Sequence, residues 1–178
     1  MIKYSEKGDT HERKKPLTGR TSDDWTAKKA GTELVLRAAA LIVKDNNFLA
    51  VKSSDYDVYY TVGGGIEVNE SSEEAVIREV YEETGYMLEI NRLAFVQERF
   101  HEVDERKYHE IVFFYLMQIN ADFDIPENRN TDQKKETLHW IPIKDLGKFN
   151  LVPKFLKTKS FVNVTSIEHI ISKEGISE

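Results

Sequence analysis

The stretch GGGIEVNESSEEAVIREVYEETGY, residues 63–86, decides how the rest of the chain is read. Three consecutive glycines, Gly63, Gly64 and Gly65, let main chain approach a neighbour with no Cβ in the way, and they open φ values closed to other residues. On their own they signal only a turn or a bulge. Ser71, followed three residues later by Glu74, has the spacing of a capping box, so a helix is expected from Ser72 to about Thr84 with Gly85 just past its end. At about 3.6 residues per turn, Val76, Ile77, Val80 and Thr84 fall on one side of that helix, which can bury against a sheet. Glu79, Glu82 and Glu83 gather on the other side, with the small Ala75 beside them.

Three carboxylates at steps of three and four repel one another, at a cost of about a few tenths of a kcal/mol per pair. An acidic helix face taken alone is most often simply solvated. A glycine turn that feeds such a face changes the reading, because it sets backbone contacts beside hard oxygen ligands of the kind that suit Mg²⁺ or Mn²⁺. A phosphate chain would find both there, and pyrophosphate hydrolysis uses that combination: cations to activate water and to neutralise the leaving phosphate.

Outward from this segment the pattern is one of strands. Residues 34–43, LVLRAAALIV, are long enough for a strand buried on both faces, and Asp45-Asn46-Asn47 supplies a turn into a second strand over 48–52. A polar loop, 53–57, leads to the aromatic pair Tyr59 and Tyr60 ahead of the glycines. Beyond the helix, strands are expected at 87–96 and 111–119, with a charged loop at 102–107 between them. Residues 121–135 are polar and interrupted by proline, so they read as a long loop. A strand at 138–143, short helices near 144–147 and 153–158, and a last strand near 167–172 complete an α/β domain. Residues 1–30 carry eight Lys/Arg against five acids and few apolar side chains; they are expected to form an N-terminal arm, or a hairpin turning at Lys7-Gly8-Asp9. Residues 31–178 then make one domain that ends in a helix and a strand.

Composition narrows the function. The 178 residues carry 31 Asp and Glu against 25 Lys and Arg, a net charge of -6, so a large footprint on a nucleic-acid duplex is not expected. No cysteine is present, which excludes a thiol nucleophile, a thiolate zinc site and disulfide staples. The longest unbroken apolar run, residues 111–117, is far shorter than the roughly 20 residues of a membrane helix. A soluble cytoplasmic protein with a small-molecule substrate is the expectation, and a homodimer is compatible with it.

Gly64, five residues, Glu70, seven residues, then Arg78-Glu79-Val80-Tyr81-Glu82-Glu83-Thr84-Gly85-Tyr86 resembles the Nudix box and matches every invariant position of it. The surrounding strands, over about residues 34–143, look like the rest of a Nudix fold, which implies an α/β/α sandwich with a mixed sheet. Two departures bear on subfamily: Thr61-Val62 stands where many members have Leu-Pro, and Tyr86 where an aliphatic residue is commoner. The resemblance implies that Glu79, Glu82 and Glu83 hold Mg²⁺ or Mn²⁺ with help from the carbonyl of Gly63. It also implies that Arg78 pairs with Glu70 and orients Glu79, which makes Arg78 and Glu79 the catalytic pair. The general base in this family is either the box glutamate or an acid on a later loop, and Glu136 and Glu110 are the candidates for the second role. Each of these two, taken singly, reads as a surface carboxylate.

Outside the box, Arg37 interrupts an apolar strand, so it is either paired in the interior or reaching a substrate phosphate. Tyr60, with Tyr59 and Phe100, could stack a nucleobase, and Gly64 and Gly65 could offer backbone to a diphosphate. The five histidines show no metal-ligand spacing. The expected activity is metal-dependent hydrolysis of the diphosphate linkage in a nucleoside diphosphate joined to another group, by water attack on phosphorus. The alternative is a nucleotide-binding sensor of the same fold without catalysis, which would ordinarily lack box carboxylates that are all present here.

Overall fold

The computed structural model describes residues 24–55, 57–103, 105–131 and 136–174. The hairpin expected at Lys7-Gly8-Asp9 lies outside these residues. Strand β1 (Thr26–Lys29) turns through Ala30 and Gly31, both at positive φ, into the central strand β2 (Thr32–Leu41). The end of the expected arm is thus already part of the sheet. β3 (Val43–Lys44) and β4 (Asn47–Ser53) form the next hairpin, with Asp45 and Asn46 at positive φ in the turn that the sequence marked. β5 (Val58–Gly65) runs into the glycines, and helix α1 (Ser72–Thr84) begins where the capping box placed it.

β6 (Glu89–Val103) and β7 (Arg106–Gln118) are both longer than their apolar runs suggested. The ladder runs into the charged loop expected at 102–107, where Glu102 pairs with Lys107 and Val103 with Arg106, and rings stack across it, Phe100 on His109 and His101 on Tyr108. β8 (Arg129–Asn130) lies within the expected long loop, followed by β9 (Glu136–Pro142), β10 (Leu151–Val152) and β11 (Glu168–Glu174). The short helices are 3₁₀ turns, Ile143–Lys148 and Lys154–Lys157, each contributing one fully buried leucine. The expected C-terminal helix is therefore a four-residue turn, too short for the ladder of hydrogen bonds that sustains an α-helix.

The strands make one mixed sheet in the order β11-β6-β7-β2-β5-β4-β9-β8, with β2 parallel to β7 and β11 parallel to β6. From Ala38 to Leu41, beyond Arg37, β2 is buried on both faces, as its apolar run requires. Ala38, Ala40 and Ile42 face α1, where Ala75, Val76 and Val80 cover them. Ala39 and Leu41 face the other way, against Leu146, Leu151, Leu156 and Phe161 of the 3₁₀ segment and its flanks. The result is a sheet layered by an α-helix on one side and by 3₁₀ turns on the other. It brings the end of β5 and one side of α1 together at the edge of the core beneath that helix.

Candidate active site

Helix α1 is fixed at both ends by local chemistry. The Ser71 hydroxyl accepts from the Glu74 amide at 3.2 Å, while the Glu74 carboxylate accepts from the Ser71 amide at 2.9 Å. Gly85, at φ 75, donates its N–H to Tyr81 O at 2.7 Å and closes the other end. The guanidinium of Arg129 lies beside Gly85, which brings a cation to a helix terminus whose last turn carries none of its own.

The glycines make room for side chains as well as for a ligand. A Cβ on Gly63 would overlap the Ala38 backbone and sit 2.8 Å from Ala39 Cα, at a φ of +139 that a side chain rarely adopts. A Cβ on Gly64 would displace the Glu79 carboxylate, whose Oε2 is 2.6 Å from that point. A Cβ on Gly65 would meet the carboxylate of Asp24 in the same way. The segment therefore seats Glu79 on one face of the strand and Asp24 on the other.

Arg78 binds the loop to the helix. Its Nε and Nη2 donate to Glu70 Oε1 and Oε2 at 2.8 and 2.9 Å, a two-point fork, and Nη2 also reaches Gly65 O at 3.0 Å. Nη1 donates to Glu79 Oε1 at 2.8 Å and, more distantly, to Glu82 Oε2 at 3.5 Å. The bond from Arg78 holds the Glu70 carboxyl below its ordinary range, and the Arg78 guanidinium is correspondingly harder to deprotonate, first through Glu70.

The three box glutamates differ in surroundings. Glu83 does not join a solvated face: only 8% of it is exposed, and Ala75 is fully buried beside the apolar residues of α1. The helix wheel assigned both to the outer side; the glycine-lined strand, having no side chains to hold α1 away, lets that side enter the protein. Gly63 N–H donates to Glu83 Oε1 at 3.3 Å, while Glu83 Oε2 is buried without a hydrogen-bond partner. Burial, and then the nearby Glu79 charge, push the Glu83 carboxyl well above its ordinary value. Burial also raises Glu79, against the pull of Arg78. Glu82 stays half exposed. Among the described residues no three Asp, Glu or His side chains converge closely enough to share an ion in this conformation, since Glu79 and Glu82 are turned toward Arg78.

Neither later acid is a surface carboxylate. Glu136, at the start of β9, accepts from the Tyr60 hydroxyl at 2.5 Å and is raised by burial. Tyr60 is thereby committed to this acid; burial and then Glu136 raise its phenol. Glu136 and Glu83 are close enough for the charge of one to raise the other. Glu110 stands within β7 and is buried at 6% exposure. Burial alone would raise it, yet His101, Arg37 and Arg99 outweigh that effect and hold it at about 2. Arg37 is also buried, and its charge acts on Glu79, Glu83 and Glu136 as well as on Glu110. Tyr59 packs against the apolar cluster on the side of the sheet away from α1, and Phe100 lies on the β6–β7 hairpin, so neither joins Tyr60.

The family model described as NUDIX domain matches residues 34–160. The chain belongs to the Nudix family. It is 32% identical over 133 residues to diphosphoinositol polyphosphate phosphohydrolase 3-alpha of Mus musculus, covering 74% of this chain and 74% of that protein. It is 31% identical to diphosphoinositol polyphosphate phosphohydrolase 2 of Homo sapiens, covering 74% of this chain and 67% of that one. In fold it resembles the MutT protein of Bacillus halodurans, with a TM-score of 0.63 at 14% identity over 78% of this chain and 90% of that chain. As a Nudix protein with an intact box and these relatives, it is a pyrophosphohydrolase. Two residues around the Nudix helix gave no signal in the sequence. Asp24, just before β1, comes to lie against Gly65, and Arg129 of β8 against Gly85, through contacts between segments distant in the chain.

Proposed function

We propose that this Nudix chain hydrolyses the diphosphate linkage of a nucleoside diphosphate joined to another group, with Mg²⁺ or Mn²⁺ and with water attacking phosphorus. The observation that carries the reading is Glu83, a buried carboxylate with one oxygen unpartnered, next to a second carboxylate whose pKa is also raised. Buried anions without compensating charge are costly. Hard oxygens in that state fit a small divalent cation. Glu79, Glu82, Glu83 and the carbonyl of Gly63 would hold it. A bound cation of this kind supplies Lewis-acid charge beside the phosphorus.

The chain's own residues supply the rest. Arg78 keeps the Gly65–Glu70 loop against α1, so that the backbone of Gly64 and Gly65 faces a diphosphate in a fixed position. Arg37 offers the phosphates a guanidinium cation. Glu79 accepts the proton of the attacking water, with Glu136 the alternative acceptor because its raised pKa brings it closer to the pH of the reaction. Glu110, held at about 2 by His101, Arg37 and Arg99, is too weak a base for that task. A second substrate reading, a diphosphoinositol polyphosphate, is favoured by the names of the mouse and human relatives. Both substrates present the same diphosphate to the box.

A hydrolysis screen with Mg²⁺ tests the proposal. It should cover nucleoside triphosphates, ADP-ribose, dinucleoside polyphosphates, nucleotide sugars and a diphosphoinositol polyphosphate, with separation of the products. Cleavage at the diphosphate of a nucleotide is expected. Tight nucleotide binding with no cleavage of any compound would replace the enzyme by a sensor.

A further inference from the structure

A row of charged side chains crosses the sheet on the face turned away from α1. Arg99 and Glu110 stand directly opposite each other on β6 and β7, with Arg99 Nη1 3.3 Å from Glu110 Oε2. The same guanidinium reaches β11, where its Nη2 is 3.1 Å from Glu174 Oε2. His101 Nε2 lies 3.2 Å from Glu110. On the other side of β7 the parallel register sets Val35 beside Glu110 and Arg37 beside Val112, so Arg37 and Glu110 are diagonal neighbours on one face. Arg37 in turn is registered with Gly65 on β5. The row thus runs from the C-terminal strand to the glycine turn: Glu174, Arg99, Glu110, Arg37, Gly65.

We propose that the C-terminal strand β11 positions Arg37 for substrate, with Glu174, Arg99 and Glu110 as positioning residues. Arg99 divides its two amino groups between Glu174 and Glu110. While Glu174 holds one of them, Glu110 keeps part of its charge for Arg37. Without Glu174, Arg99 turns fully to Glu110, which then holds Arg37 less firmly. The burial of Arg37 and Glu110 keeps water from screening the exchange. The inference rests on the reading that Arg37 meets the substrate.

The test is a double-mutant cycle between Glu174 and Arg37, which lie on strands separated by β6 and β7. Two quantities are read: the affinity for methylenediphosphonate in Mg²⁺ by calorimetry, and KM against kcat on the best substrate from the screen. Glu174→Gln should weaken binding and raise KM by about three- to tenfold with kcat little changed, and the effect should vanish in an Arg37→Lys background. Ile170→Ala, which loosens β11 through its apolar packing instead, should not reproduce it. Equal effects of Glu174→Gln in both backgrounds, or the same shift from Ile170→Ala, would overturn the proposal. If Arg37→Lys itself leaves binding and KM at parental values, the substrate-binding reading of Arg37 fails first. If Arg37→Lys weakens binding and Glu174→Gln does not, only the positioning role of β11 fails.

Discussion

Replacing Gly63 and Gly64 by alanine in turn should separate stability from turnover, although the two residues are adjacent. At Gly64 the added methyl meets the end of a flexible side chain, the Glu79 carboxylate, and the backbone there is not in the left-handed region. Glu79 can swing away, losing its bond from Arg78, worth about 1.5–3 kcal/mol for a charged pair. Lower entropy of the unfolded chain returns about 0.4–1 kcal/mol. The net loss is about 0.5–2.6 kcal/mol, or roughly 1–10 °C in melting temperature for a domain of this size. Turnover should fall about a hundredfold or more, because a displacement of about 1 Å in a reacting group costs that much. At Gly63 the methyl meets the backbone of β2, which cannot swing away, at a φ of +139. Strain of about 1–3 kcal/mol and overpacking of about 1–3 kcal/mol then add, and the melting temperature should drop by roughly 5–20 °C. Calorimetric melts and initial rates at a temperature where both variants are folded decide the matter. The opposite pattern, with Gly64→Ala unfolding the domain or keeping full activity, would refute the placement of Glu79 over Gly64.

Glu79→Gln should lower turnover on the order of a thousandfold while the domain stays folded, because the amide keeps size and helix propensity but loses the charge and the proton acceptor. Near-parental rates would remove Glu79 from the chemistry. Arg78→Lys should not restore an Arg78→Ala variant, since an ammonium cannot make the two-point fork to Glu70 and also reach Gly65 O and Glu79; full activity in the lysine variant would show that charge alone matters. Glu83 has a raised pKa in the fold, so its favourable contribution is present below the ordinary carboxyl value of 4.5 and is lost as pH rises through the folded value. Without divalent cations, Glu83→Gln should therefore gain thermal stability over the parent as pH increases from 4.5 to neutrality, and millimolar Mg²⁺ should stabilise the parent only. A melting difference that ignores both pH and Mg²⁺ would count against the cation site.

What the sequence made legible is what depends on neighbours in the chain. The limits of α1 and its two caps follow from Ser71, Glu74 and Gly85, and the structure reproduces them because those bonds are local. The double burial of β2 follows from an apolar run with no polar alternation. The helix wheel failed at Glu83 and Ala75, since a wheel describes a helix on a featureless sheet and cannot know that the facing strand lacks side chains at Gly63 and Gly64. The extent of β6 and β7 was hidden for a related reason. Their outer halves are held by pairs such as Arg99 with Glu110, which are apparent only once the register is known. The fate of Arg37 depended on β7 lying parallel beside β2, a contact between distant segments that no local pattern encodes.

The division of bonds at Arg78 bears on how the site can change charge without losing shape. Three of its five contacts go to Glu70 and Gly65 O, groups of the loop that carry no role as ligands. The other two, to Glu79 and Glu82, come from a single nitrogen, Nη1. Carboxylates drawn from Nη1 toward incoming positive charge would leave the fork to Glu70 intact, and with it the path of residues 65–70. Glu83 needs no such release, because its free oxygen is already unengaged. A site built in this way would keep its backbone still while two of its acids exchanged partners, and the bidentate geometry of an arginine, rather than its charge, would permit it.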